Sequence, residues 1–367
     1  MPKRYRRDND GDEGGRGGSR DQRRRHHLCV VLDDWSKGYS LYNLDVDDLD
    51  GDPTDADLHA ERLPDPPLFR LEIPADERGR FASFAAAGSS VFAIDYIDEN
   101  KEAPVLVHDM ATGALAVGPA TPPDLGHSPD LVSAAGSLFA FDGWKDARGQ
   151  RHQSFKALKR HGRRGWVSRG LPDAPFDVRR VRCHAAHPDG RTVLFSAGGS
   201  GTFAFDAEAE AWARHGEWVL PFKGQAFYDG EAEAWVGFSW AHVGEGRVCA
   251  CDIADPAPAS DGDGGGARRA PPEWKVVEEG MTHGSERSLA VRLAHLGDGR
   301  FCLVEYMKRR GVPEEDVWDE HCLLRATKFR LRYDKNGTLR AASRRARCYA
   351  VRKKSNTFSF RAFGISE

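Results

Sequence analysis

A short unit recurs along this chain of 367 residues. An apolar run preceded by Gly leads to a second run that ends in Asp, then to a polar turn and an exit that carries Pro. The unit is clearest from Gly88 to Pro123, where Val91-Phe92-Ala93-Ile94-Asp95 is followed by Val105-Leu106-Val107-His108-Asp109, the turn Ala111-Thr112-Gly113, and Pro119, Pro122 and Pro123. The same order returns from Gly136 to Pro175 and from Gly190 to Pro221, with Phe-Ala-Phe-Asp spelled at Phe139 to Asp142 and again at Phe203 to Asp206. A period of roughly 40 to 50 residues built from short β runs is the signature of a β-propeller, in which small sheets stack radially and bury each other's faces. The chain is therefore expected to be all-β, a propeller of six blades with seven as the alternative count.

The units can be placed along the chain. Residues 1–27 are rich in Gly, Arg and Asp and nearly free of apolar side chains, so they cannot offset their ordering entropy and are expected to form a disordered basic tail. A single propeller domain then fills 28–367, interrupted by flexible insertions near 256–272, where Gly, Pro, Asp and Ala dominate, and near 308–320, where charges cluster. The last segment, Asn356 to Ile365, reads as a seventh fragment or as the strand that latches the ring, through Phe358 to Phe363 or Leu28 to Leu32. Asp142, Asp206 and Asp252 end runs at like positions, where a carboxylate accepts turn hydrogen bonds. Trp166, Trp212 and Trp274 stand at comparable places in three units and are expected to fill the widening wedge between sheets.

Composition narrows the setting. Hydrophobic residues make up 40% of the chain, with nine Trp and nineteen Phe, enough to fill a core. Met1 to Arg25 lacks the apolar stretch of a secretory signal, and nowhere do eighteen apolar residues run together. Seven cysteines at scattered spacing fit reduced thiols. These features predict a cytoplasmic or nuclear protein with no membrane association, and make Asn336-Gly337-Thr338 a tight turn between strands.

The net charge of −3 hides an asymmetry. Residues 28–324 hold 31 basic against 49 acidic groups, whereas residues 325–361 hold thirteen basic groups and one acid, Asp334. In this C-terminal region Lys328, Arg330 and Arg332 alternate with Phe329, Leu331 and Tyr333, the pattern of a half-buried edge strand. With Arg325, Arg344, Arg345 and Arg347 they form the candidate partner-binding set, suited to an acidic protein or peptide and, as an alternative, to nucleic acid. Arg4 to Arg7 and Arg23 to Arg25 have the composition of a nuclear-import signal.

Catalytic and metal motifs are scarce. There is no Gly-x-Ser-x-Gly elbow, phosphate-binding Gly-Lys-Ser/Thr loop or His-Glu-x-x-His helix. Cys183, His184 and His187 lie near Asp189, but Cys183 and His184 are adjacent in an expected strand and point to opposite faces, so no metal, cofactor or catalytic residue is assigned. Cys249 and Cys251 read as small buried hydrophobes.

At Asp206 with Trp212, and at the doublet Gly198-Gly199, the chain resembles kelch repeats. The opening run Leu28 to Leu44, the exit Leu63 to Pro67 and the overall layout are similar to a large family of uncharacterised, grass-expanded plant proteins, kelch-like and without an F-box, known as a domain of unknown function. That resemblance implies the fold and brings no catalytic residues. The expected role is a non-catalytic interaction module, a scaffold that binds a protein or peptide; the alternatives are an enzyme or small-ligand receptor with its site at the central channel mouth, and nucleic-acid binding through the basic strands.

Overall fold

The computed structural model describes residues 26–53, 59–73, 82–95, 104–122, 125, 129–145, 148–161, 165–240, 247–255, 270–284, 286–312, 319–353 and 360–366. The expected tail up to residue 25, the import signal, most of the insertion expected near 256–272 and residues 313–318 of the one expected near 308–320 lie outside these residues.

Among the described residues the chain is all-β, and its only helical turn is a 3-10 turn at Val178–Arg180 capped by the Asp177 carboxylate. The strands follow in meanders. The first holds β1 (His26–Trp35), β2 (Gly38–Asp45), the two-residue β3 (Glu61–Arg62) and β4 (Phe69–Glu72). Next come β5 (Ala82–Ala87), β6 (Ser90–Asp95), β7 (Pro104–Asp109) and β8 (Leu115–Ala120), then β9 (Asp130–Ala134), β10 (Ser137–Lys145), β11 (Arg151–Arg160) and β12 (Trp166–Gly170). They are followed by β13 (Val181–Ala186), β14 (Thr192–Ala197), β15 (Gly201–Asp206) and β16 (Ala211–Gly216), and by β17 (Phe222–Asp229), β18 (Ala234–Ser239), β19 (Val248–Asp252) and β20 (Trp274–Val276). The last are β21 (Ser288–Gly297), β22 (Arg300–Lys308), β23 (Asp319–Tyr333), β24 (Leu339–Lys353) and β25 (Phe360–Ser366).

Each group of four forms an antiparallel sheet in chain order, with two exceptions that tie the molecule together. The sheets β13–β16 and β17–β20 are joined into one by a short parallel pairing of β13 with β17, Cys183 opposite Gly224. The first sheet has the order β25-β1-β2-β4, so the C-terminal strand completes the N-terminal sheet, Cys29 opposite Phe363. Both segments named as latches therefore act together: they pair with each other. Such closure removes the free edges that would otherwise template aggregation. β3 adds in parallel to β24, and β23, expected at an edge, is an interior strand because it pairs with both β22 and β24.

The core explains why the apolar runs are nearly continuous. Successive strand residues point to opposite faces, and here both faces meet a neighbouring sheet. On β1, Leu28, Val30 and Leu32 pack against Ala294, Val304 and Leu324 of the last sheet, while Cys29 and Val31 pack against Phe84, Val91 and Ala93 of the next. On β14, Val193 and Phe195 join Phe139 and Phe155, while Leu194 joins Trp235 and Cys249. Further clusters link β5–β8 to β9–β12, through Phe92 and Leu138, and β17–β20 to β21–β24, through Val236 and Phe301. Neighbour packs on neighbour until the last sheet meets the first, which is the arrangement of a β-propeller. A buried Phe or Leu contributes about 1.5–3 kcal/mol in such a seam.

Local chemistry sets the meanders. Asp109 and Asp206 each accept two backbone hydrogen bonds, from Ala111 and Thr112 and from Glu208 and Ala209, at 2.9–3.0 Å. These Asp turns stop one strand and start the next. Asp334 does the same for Asn336 and Thr338 between β23 and β24, where Gly337 has a φ of +74°. Trp212, on an outer strand, lies among Phe155, Phe176, Phe195 and Phe205 and donates to the Pro172 carbonyl at 3.0 Å. Trp166 meets Phe92 edge-on. Trp274 departs from the wedge expectation: it is 41% exposed on β20, a three-residue strand at the end of its sheet. Trp235 is instead the fully buried tryptophan, donating to the Ala186 carbonyl of the adjacent sheet at 2.8 Å.

Candidate functional site

Strands β5, β9, β13, β17, β21 and β25, one from each four-strand group, border a cavity of about 720 Å3. The parallel pairing of β13 with β17 is the relation expected of inner strands that each open a repeat unit at the axis. Their residues near the strand starts are polar. Ser83 is second on β5, Asp130 first on β9, Arg182 second on β13, Lys223 second on β17 and Arg361 second on β25; Arg292 lies on β21, and all six line the cavity.

Register brings these groups together. Pairing Cys183 with Gly224 puts Arg182 beside Lys223. Gly364 has no side chain because a Cβ there would collide with the His295 carbonyl oxygen, so β25 runs tight against β21. Three residues earlier on both strands stand Arg361 and Arg292, and the Arg292 guanidinium sits 5.4 Å from the centre of the Phe360 ring. Ser83 donates to the Pro129 carbonyl at 3.0 Å, fixing β5 against the start of β9.

Electrostatically this end of the cavity is cationic. Burial lowers the Arg292 pKa to about 10, and the Arg361 charge adds to the effect. Arg361 is lowered by burial too, with Asp130 opposing the change. Asp130 itself is raised, first by burial and then by Asp142, with Arg361 pulling it back. Among the described residues no carboxylate lies within ion-pair distance of Arg182, Lys223 or Arg292; Arg182 stacks over the Trp240 ring at 5.2 Å and Arg292 donates to its neighbour's carbonyl, Val291. Two histidines also line the cavity. His184 is 8% exposed, its Nδ1 has no hydrogen-bond partner among the described residues, and burial lowers its pKa to about 4; His295 is lowered by burial and its Nε2 is likewise unpartnered.

The partner-binding residues picked out by sequence lie elsewhere, on β23 and β24. Lys328 stands opposite Arg345 and Ala326 opposite Arg347. Several of these cations are held within the chain. Arg325 is buried; it lies 3.6 Å from Glu305 and donates to the Pro53 carbonyl at 2.5 Å, and Glu305 also takes the His283 backbone N–H and ring Nδ1 at 2.9 Å. Burial would raise the Glu305 carboxyl, but the His283 hydrogen bonds and the Arg325 charge outweigh it and the net shift is downward. Because Thr282 and Gly284 line the cavity, this network fixes a segment of its wall. Lys328 donates to the Val46 and Asp47 carbonyls, Arg330 pairs with Glu231 of the adjacent sheet at 3.1 Å, and Arg347 pairs with Asp50 and Glu61. Arg332 and Arg345 are exposed, and Arg344 is half-buried.

The sequence reading passed over the channel residues. Their signal is a polar residue at the head of successive first strands, Asp130, Arg182, Lys223 and Arg361, visible only once the units are aligned on those strands. The seven cysteines are free and buried, and burial raises Cys183 and Cys251 to about 12. Among the described residues no cluster of His, Cys, Asp and Glu has metal-binding geometry, and no helix is long and apolar enough to cross a membrane.

Sheets joined side by side around a lined axis define a β-propeller with a central cavity. The chain belongs to the family described as "Protein of unknown function (DUF1668)", whose model matches residues 25–349. No curated protein matches the chain. Solved structures similar to it include a putative 6-phosphogluconolactonase from Bacteroides fragilis, 12% identical with a TM-score of 0.40 over 94% of this chain and 100% of that one. Apo AztD from Citrobacter koseri is 10% identical, with a TM-score of 0.37 over 94% and 98%. The β-propeller domain of Cps50 (Swd1) from Myceliophteria thermophila is 10% identical, with a TM-score of 0.28 over 74% and 100%.

Proposed function

We propose that the chain is a non-catalytic binding module, a six-bladed kelch-like propeller that takes its ligand at the central channel. The observation that carries this reading is the cavity of about 720 Å3 with a cationic lining at one end. Small-ligand sites commonly occupy roughly 300–1,000 Å3 and carry a few convergent polar groups. Chemistry supports binding over turnover. General acid–base work needs a group whose pKa lies near the operating pH, whereas burial holds His184 neutral, with a pKa of about 4, and the thiols of the core are pushed upward and out of solvent. The Asp206 and Trp212 pair and the Gly198-Gly199 doublet support the kelch-like assignment, and the meanders counted through β25 support six blades. We read the chain as a monomeric module of the cytoplasm or nucleus, the location that its seven scattered free cysteines favour.

An acidic protein or peptide on β23 and β24 is a second reading, favoured by the exposed Arg332 and Arg345 and the half-buried Arg344, since Arg325, Lys328, Arg330 and Arg347 have partners within the chain. A channel-blocking variant separates the two. Leu289, on β21, lines the cavity and is 41% exposed, and Leu289→Trp should abolish the heat-melting response of the full chain to every small molecule that stabilises the wild type. Responses that survive the block would refute the channel reading.

A further inference from the structure

Resting on the second reading, we infer that the outer edge of β24 is a seat for an extended acidic peptide, and that the chain's own acidic segment, 45–62, occupies and masks it in the resting protein. That segment holds eight carboxylates against one arginine. Val46 and Leu49 are buried in the seam between the first and last sheets and anchor its start. Its described residues then meet β24 through the backbone: the Ala346 N–H donates to the Gly51 carbonyl at 2.9 Å, and β3 sets Glu61 beside Tyr349 and Arg62 beside Ala350. Carboxylates follow the backbone. Arg347 takes Asp50 at 3.0 Å and Glu61 at 3.5 Å, and its hydrogen bond and charge hold the Asp50 carboxyl below its ordinary range.

The same chemistry recurs near the start of β24. The Ala341 N–H and the Arg340 guanidinium donate to the Glu279 carboxylate at 3.0 and 3.4 Å, and Glu278 lies 2.9 Å from Arg340. Two seats for carboxylates on one strand are thus filled from within the chain. Between them stand Arg344 and Arg345, with no carboxylate within ion-pair distance among the described residues. A longer acidic strand gains charge pairs there that the chain's own segment does not make. The inner occupant is held weakly where it meets the edge, because β3 is two residues long and the Asp50 and Glu61 side chains are exposed. Ion pairs so open to water contribute little and are screened by salt. The anchored start keeps the segment close, so it re-closes readily and masks the edge. Strand pairing needs donors as well as acceptors along the occupant, which a peptide backbone supplies and a nucleic-acid backbone does not. In the resting protein the channel is left as the open site.

The test uses the full chain and a decaglutamate peptide as probe, read by calorimetric titration at matched ionic strength. Asp50→Lys with Glu61→Lys sets like charges against Arg347 and opens the edge. This opened chain should bind decaglutamate about tenfold tighter than wild type, since the inner competitor is gone. Glu208→Lys with Glu233→Lys, an equal change of charge in turns of other sheets, should bind as wild type does. Adding Arg347→Gln to the opened chain should remove the gain. Hydrogen exchange gives a readout that needs no probe: the Ala346 amide should exchange faster in the opened chain than in wild type. Should the double reversal fail to fold, Asp50→Asn with Glu61→Gln serves in its place. Equal binding by the opened chain and the charge control, or an unchanged Ala346 amide, would overturn the inference. Wild type that binds decaglutamate as tightly as the opened chain would leave the second reading standing and remove the mask. No binding by any variant would sink both. Tighter binding of a thymidine dodecanucleotide than of decaglutamate, or loss of decaglutamate binding on Leu289→Trp, would also overturn the inference.

Discussion

Several arginines of the outer strands are paired with carboxylates from other parts of the chain, whereas Arg182 and Arg292, which border the channel, have no carboxylate within ion-pair distance among the described residues. On β23 and β24, Arg325, Arg330 and Arg347 reach across to Glu305, Glu231, Asp50 and Glu61, so the basic C-terminal region neutralises acids from earlier in the chain. In the channel, Arg182, Lys223 and Arg292 gather without such partners among the described residues. The lesson is that a dense run of basic residues in a sequence marks a surface only after the strand neighbours are known. Three scattered ones can mark a site when the repeat brings them to one axis.

The comparison can be broken at several points. The largest effect concerns closure, on which both regions depend. Removing β25, Phe360–Ser366, strips β1 of one of its two partner strands and uncovers a seam containing Leu28, Val30 and Tyr306, so the truncated chain should lose its cooperative heat transition. A truncated chain with the wild-type melting profile would contradict ring closure. Next is the partnered side. Glu305 is 0% exposed, and Glu305→Ala leaves Arg325 buried without its carboxylate. That should cost about 3–5 kcal/mol in urea unfolding, against a much smaller cost, roughly 0–1 kcal/mol, for Arg330→Ala at its exposed pair with Glu231.

A third point uses pH. His184 is neutral in the fold, with a pKa of about 4, whereas in the unfolded chain an ordinary histidine titrates near about 6.5. The unfolded state therefore binds more protons between these values, so this contribution is complete above the upper one and is lost as pH falls through the lower one. It amounts to on the order of 3 kcal/mol. His184→Phe should flatten the decline of stability between about pH 6.5 and about 4; an unchanged slope would show that the ring is solvated. Glu305, with its lowered pKa, loses its stabilising contribution further down in the acid range.

Much of the architecture was readable beforehand because alternation and turn chemistry are local. From Val181 to Trp212 the strands fall where Gly190, Asp206 and the apolar runs place them, and Asp109 and Asp206 cap turns as their positions imply. The phase of the repeat was less legible. Phe-Ala-Phe-Asp occupies the second strand of its sheet at Phe139 and the third at Phe203, because a strand face that is buried on both sides accepts the same residues in either place. β1 begins at His26, two residues before the composition changes, since strand pairing with Ser366 extends order past the last apolar side chain. The β23 alternation resembled an edge, but β22 and β24 pair on either side of it, and its cations reach carboxylates and carbonyls brought up by other parts of the chain. The channel was hidden for a related reason: its residues are spread from Ser83 to Arg361, and only sheet stacking brings them together.

The central claim is that the cavity bordered by the inner strands, and not the clustered cations of the outer ones, forms the binding site. A crystal of the full chain soaked in sodium tungstate, a heavy-atom mimic of phosphate, tests it most directly. The account predicts anomalous density within the cavity bordered by the inner strands. Density confined to Arg332 and Arg345 on the outer strands, with the channel clear, would contradict it.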